Sequence, residues 1–261
     1  MPKIIAQIYE VQTPSEAEKL LPLGVDHIGS VIISKESWKV PSILETIRLI
    51  QGENAKSSLI PLFDDFETIS FMIDYYQPDI IHFCDMITPE SGFGKRGQKL
   101  VSLQESVRKK FPDIEIMRSI PIAQSGIQDQ GDVLELARMF EPLSDYFLTD
   151  TLIVKSSGFI SDLQPVKGFV GITGKTCSWD MAAQLVCSSR IPVILAGGIT
   201  PDNVFDAIMQ VKPAGIDSCT GTNALDDSGC SIRFKKDPNK VKHLVDETRR
   251  AERILETDKY K

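Results

Sequence analysis

The stretch Pro192-Val193-Ile194-Leu195-Ala196-Gly197-Gly198-Ile199-Thr200-Pro201-Asp202-Asn203-Val204 decides the fold. It opens with a short apolar, β-branched run of strand type, breaks at two glycines, and restarts at a Thr-Pro pair of the kind that opens a helix. Val204, Ala207, Ile208 and Val211 then fall on one stripe at helical spacing. Strand, glycine turn and helix in that order make one βα unit, and the fold follows from how often the unit recurs.

It recurs along the whole chain. Apolar runs lie at 4–9, 27–32, 59–64, 80–85, 114–120, 146–150, 193–196 and 215–218, each with room for a helix behind it. The runs are nearly continuous in apolar residues, as suits strands covered by helices on one face and by a packed barrel interior on the other. Eight such units in 261 residues predict a single (β/α)8 barrel spanning residues 1–261, an architecture that takes about 250 residues. Thr13-Pro14-Ser15-Glu16 predicts a capping box, with Thr13 capping the helix and Glu16 reaching back. Ser178 precedes Met181, Ala182, Leu185 and Val186 in the same manner. Segments 88–100 and 152–170 exceed the usual βα loop of about two to six residues. Both leave strand C-termini and are expected over the barrel mouth, with 152–170, containing Ser156-Ser157-Gly158, as a lid.

Charge and cysteines exclude several classes. Twenty-nine basic against thirty-six acidic residues give a net charge of −7, which argues against a nucleic-acid backbone as partner. No apolar stretch approaches the ~18 residues of a membrane span, and the N-terminal apolar run is too short for a signal peptide. Five cysteines without a CxxC pair predict reduced thiols in a cytoplasmic protein rather than disulfides or structural zinc. The oligomeric state stays open, a homodimer being one option.

Three glycine turns mark a site. Gly171-Ile172-Thr173-Gly174-Lys175 precedes the helix capped at Ser178, Gly197-Gly198 follows the seventh strand, and Thr220-Gly221 follows the eighth. In a barrel these converge on one corner of the mouth. Backbone N–H groups can approach an anion closely there, and helix N-termini favour negative charge. Gly171, Gly174, Gly197, Gly198, Thr220 and Gly221 are therefore the expected phosphate-binding residues of a phosphorylated small-molecule substrate.

The last third of the chain resembles phosphoribosylanthranilate isomerase, the barrel enzyme of tryptophan biosynthesis. The residues that carry the likeness are Phe147-Leu148-Thr149-Asp150, Gly174-Lys175-Thr176-Cys177-Ser178-Trp179, the Pro192–Val204 stretch, and Ile216-Asp217-Ser218-Cys219-Thr220-Gly221. Residues 8–17 and Gly24-Val25-Asp26-His27-Ile28-Gly29 are similar in spacing to the family's first helix and second strand. The resemblance implies an Amadori rearrangement of a phosphoribosyl amine to a 1-amino-1-deoxyketose phosphate, without a cofactor. It places the catalytic acid at Asp150.

Other family positions are altered. The family's base, a Cys at the end of strand one, registers with Tyr9, and the glycine after it with Glu10. A substrate-contacting Arg registers with Trp38, beside Lys39, and a Gln-Leu-His with His82-Phe83-Cys84. A thiol of pKa ~8.5 is a few per cent ionised at pH 7, whereas a phenol of pKa ~10 is about 0.1% ionised. Glu10 is thus the better base if it points inward, although strand alternation puts Tyr9 and Glu10 on opposite sides. Trp38, Lys39, His82 and Cys84 are the expected substrate-lining residues.

Two other readings remain at this level. A metal-assisted epimerase could use Asp64, Asp65, His82 and Asp85, which gather at the ends of strands three and four. A barrel that kept the anion site and lost its base would bind phosphosugars without turning them over.

Overall fold

A computed structural model describes residues 3–87, 94–126, 133–154, 168–171 and 173–257. Eight parallel strands close into a barrel in chain order: β1 Ile5–Ile8, β2 His27–Ile32, β3 Lys56–Pro61, β4 Ile80–Phe83, β5 Glu115–Ala123, β6 Tyr146–Leu152, β7 Val193–Leu195 and β8 Gly215–Ser218. The ring closes where β1 pairs with β8, Gln7 opposite Asp217. Helices α1 Pro14–Leu20, α2 Pro41–Gln51, α3 Phe66–Tyr76, α4 Lys95–Lys110, α5 Val133–Phe140, α6 Trp179–Ser188, α7 Val204–Val211 and α8 Pro238–Thr257 surround it. The (β/α)8 expectation holds.

Strand parity builds two cores. Ile4, Ala6, Ile8, Phe147 and Ile216 face outward and pack under the helices, while Tyr9, Ile80, Met117, Leu148 and Ile194 fill the barrel. The same parity carries Asp150 and Asp217 inward, because they follow Leu148 and Gly215 by two residues. Burial of these apolar side chains, at roughly 25 cal/mol per Å² removed from water, is what holds the ring closed.

Several elements differ from the sequence reading. The third strand runs Lys56–Pro61 rather than 59–64. Its polar start, Lys56-Ser57-Ser58, looks unlike a strand, yet the ladder runs from His27↔Lys56 to Ile32↔Pro61, and Ser57 donates from both N and Oγ to Asp79. Thr13 caps α1 as expected, but Glu16 does not reach back: its carboxylate accepts from Lys19 Nζ and from the Lys236 amide. Thr200-Pro201 opens a turn, with Asn203 at the cap of α7 and the stripe Val204, Ala207, Ile208 and Val211 buried. Of the stripe behind Ser178, Ala182 and Leu185 are buried.

The first long loop is shorter than expected. The second half of 88–100 is helix, since α4 begins at Lys95, while 88–93 lie outside the described residues. The lid expected over 152–170 falls mostly on 155–167, also outside them; Phe169 forms an antiparallel bridge with Asp85. After β8 the chain adds a feature the sequence reading lacked, an antiparallel hairpin of β9 Asn223–Leu225 and β10 Ser231–Lys236. No helix among the described residues is long and apolar enough to cross a membrane.

Candidate active site

A cavity of about 970 Å³, counting the solvent at its mouth, opens at the C-terminal ends of the strands. Gly171, Thr173, Gly174, Gly197, Gly198, Thr220 and Gly221 all border it. Close backbone approach holds two of the turns together. Gly198 has φ 66°, and a Cβ there would lie 2.5 Å from the Thr176 amide nitrogen. A Cβ on Gly221 would lie 2.4 Å from the Ile199 carbonyl oxygen. The N–H groups of Gly197 and Gly198 donate to no described residue. Gly171 differs: it lies against Asp150, whose Oδ2 would be 2.3 Å from an added Cβ.

Asp150 lies in β6, two residues before its end. Its Oδ1 accepts the Thr151 amide at 2.9 Å, and burial raises its pKa from 3.8 to about 7. An ordinary aspartate is about 0.06% protonated at pH 7, whereas this one is about half protonated. Across the floor, Asp217 accepts from Gln7 Nε2 at 3.2 Å. Burial, with Asp150 as a further repulsive charge, lifts its pKa to about 8. Two carboxyl groups that resist ionisation thus border one cavity, the arrangement that proton transfer requires.

Both candidates at the end of β1 border the cavity. Tyr9 stays inside the barrel, its hydroxyl 2.5 Å from Ser58 Oγ and 2.7 Å from His82 Nδ1. Burial raises its pKa well above 10, so the phenol is a poor base. Glu10 does not point away. The strand ends at Ile8, and Glu10 takes φ 63°, a left-handed conformation that costs a side-chain-bearing residue about 1–2 kcal/mol. That twist defeats the alternation, and both residues border the cavity. Glu10 is 1% exposed. Its Oε1 accepts from Arg233 Nε at 2.7 Å and pairs with Nη2 at 2.6 Å, while Oε2 is buried without a partner.

Of the other expected lining residues, His82 and Cys84 border the cavity and Trp38 and Lys39 do not. Trp38 packs edge-on against Tyr75 and Tyr76, with Lys39 Nζ 5.1 Å from its ring centre. The aromatic cluster takes both side chains off the mouth. His82 is held at both nitrogens, by Tyr9 and by Ser119 Oγ at 2.8 Å. Burial depresses its pKa to about 3, so it is neutral. Burial pushes the Cys84 thiol well up.

The epimerase set is dispersed. Asp64 pairs with Lys99, Asp65 caps α3 and pairs with Lys35, and Asp85 pairs with the buried Arg118 at 3.1 Å. Among the described residues no group of His, Cys, Asp or Glu could hold a metal ion.

Two residues of the site escaped the sequence reading. Asp217 was quotable only as part of a strand; its inward parity, two residues after Gly215, was the available signal. Arg233 lies 223 positions from Glu10, and nothing in its surroundings predicts that pairing. Lys236, on the same hairpin, is buried and donates from Nζ to the Cys219 carbonyl and to Asn223 Oδ1.

The family described as N-(5'-phosphoribosyl)anthranilate (PRA) isomerase matches residues 119–247. The chain is 26% identical over 219 residues to N-(5'-phosphoribosyl)anthranilate isomerase 1 of Methanosarcina mazei, covering 83% of this chain and 76% of that protein. Isomerase 2 of the same organism is 36% identical over 146 residues, 53% of this chain and 57% of that one. In fold, the chain superposes with TM-score 0.63 and 17% identity on a phosphoribosylanthranilate isomerase solved with reduced 1-(o-carboxyphenylamino)-1-deoxyribulose 5-phosphate. That likeness covers 94% of this chain and 98% of the other.

Proposed function

We propose that this chain belongs to the phosphoribosylanthranilate isomerase family and catalyses an Amadori-type aldose–ketose isomerisation of a phosphorylated sugar amine, with Asp150 as acid and Glu10 as base. The observation that carries the reading is the pair of unlike carboxyl groups facing one cavity. Asp150 keeps a proton near neutral pH, while Glu10 is ion-paired through one oxygen and its other oxygen is buried without a hydrogen-bond partner.

The phosphate would sit at the corner of Gly174, Gly197, Gly198, Thr220 and Gly221, held by backbone N–H groups and the N-terminus of α7. Asp150 gives its proton to the furanose ring oxygen as the C1–O bond breaks and the amine lone pair forms an iminium at C1. Glu10 then takes the C2 proton, and those electrons form the enolamine. Protonation at C1 and loss of the hydroxyl proton at C2 give the ketose. General acid–base steps of this kind contribute about 10²–10⁴-fold each. Asp217, mostly protonated at neutral pH, is placed to donate a hydrogen bond to a sugar oxygen.

The wild type should therefore turn over a phosphoribosyl amine in the cytoplasm. Asp150→Asn and Glu10→Gln should each cut turnover by about 10²–10⁴-fold while inorganic phosphate still binds. Phosphate binding without turnover in the wild type would favour a barrel that only binds.

A further inference from the structure

The far side of the cavity restricts what the phosphate's other end can be. In the ring, β3 lies four strands from β7, so the wall of Val31, Ile60 and Leu62 faces the glycine corner across the mouth. With Phe169, that wall is apolar. The charged or ionisable groups that border the cavity among the described residues are all acids: Glu10, Asp150 and Asp217, with the weakly acidic Tyr9, Cys84 and Cys219 and a neutral His82. No described Lys or Arg lines it.

Several cations of the neighbouring elements are engaged elsewhere. Arg233 holds Glu10, Lys35 holds Asp65 at 3.0 Å, Lys99 holds Asp64 at 2.7 Å, and Arg118 is buried on Asp85. Arg96 is exposed, reaches the Gly168 carbonyl at 3.5 Å and stays off the lining. A carboxylate carried by the ligand to this wall would lose its water, find no cation among the described residues and feel the charge of Glu10. An apolar group would displace water from apolar side chains.

We infer that the amine substituent of the substrate is uncharged and apolar, so that this chain prefers a sugar phosphate bearing a plain aryl or alkyl amine over one bearing a carboxylated arene. The inference rests on the isomerase reading of the same cavity.

Calorimetry of the full chain with three probes tests it. The probes are inorganic phosphate, reduced 1-(o-carboxyphenylamino)-1-deoxyribulose 5-phosphate, and the same compound without its carboxyl group. The decarboxylated compound should bind at least about tenfold more tightly than the carboxylated one, a difference of about 1.4 kcal/mol. Leu62→Arg, at a partly exposed position on the apolar wall, should bring the two together or reverse them. Equal or tighter binding of the carboxylated compound by the wild type overturns the inference and leaves the isomerase reading standing. An unchanged preference in Leu62→Arg removes the far-wall placement. If neither sugar phosphate binds better than inorganic phosphate, the isomerase reading itself fails, and the inference with it.

Discussion

Replacing Asp150 by Asn should make the protein more stable above neutral pH while removing its activity. The folded state holds this carboxyl at a pKa of about 7, against 3.8 for the ordinary group, because burial disfavours the charged form. The sign follows from linkage. Below pH 4 the group is protonated in both states and contributes no penalty. As pH rises from 4 to 7 the unfolded chain releases the proton first, so stability falls, and above about 7 the loss is complete. At 1.36 kcal/mol per unit, a shift of roughly three units sets an upper bound of about 4 kcal/mol. Asn keeps the shape, can still accept the Thr151 amide, and never ionises. Since Asp150 remains partly accessible from the cavity, about 2 kcal/mol is the expected gain at pH 8.5, or roughly 4–8 °C in Tm. Urea unfolding of both proteins from pH 4 to 8.5 measures it. The two curves should meet near pH 4 and separate steadily toward pH 7. A variant no more stable than wild type at pH 8.5 would refute the burial argument and, with it, the case for Asp150 as a poised acid.

Other substitutions probe different parts of the account. Gly198→Ala places a Cβ 2.5 Å from the Thr176 nitrogen at φ 66°; it should cost roughly 2–4 kcal/mol in unfolding free energy and weaken inorganic phosphate binding in calorimetry. Arg118→Met leaves Asp85 buried without its cation and should destabilise by about 3–5 kcal/mol in the same unfolding assay. Glu10→Gly relieves a left-handed backbone but leaves Arg233 without its carboxylate, so stability should change by no more than about 1–2 kcal/mol while turnover is lost.

Much of this architecture was legible because barrel units repeat. Glycine turns, the Ser178 cap and the apolar stripe of α7 are local signals, and each lay where the residues put it. Strand parity also carried Asp150 inward. What escaped detection was non-local or locally irregular. Lys56-Ser57-Ser58 became strand only because neighbours on both sides supply ladder partners. Trp38 and Lys39 left the mouth because Tyr75 and Tyr76 offer them an aromatic partner from another helix. Glu10 reaches the cavity edge through one left-handed backbone angle, and its partner Arg233 is far away in sequence. A period-two rule assumes a continuing strand, and here the strand had already ended.

The most direct test of the isomerase account is to incubate the wild type, Asp150→Asn and Glu10→Gln with N-(5'-phosphoribosyl)aniline and with N-(5'-phosphoribosyl)anthranilate in D2O, following product by NMR. The account predicts a 1-amino-1-deoxyribulose 5-phosphate from the wild type, with deuterium at C1 delivered after the C2 proton has left through Glu10. Both variants should be slower by about 10²–10⁴-fold. A wild type that binds both amines and converts neither, or a Glu10→Gln variant as fast as wild type, would contradict it.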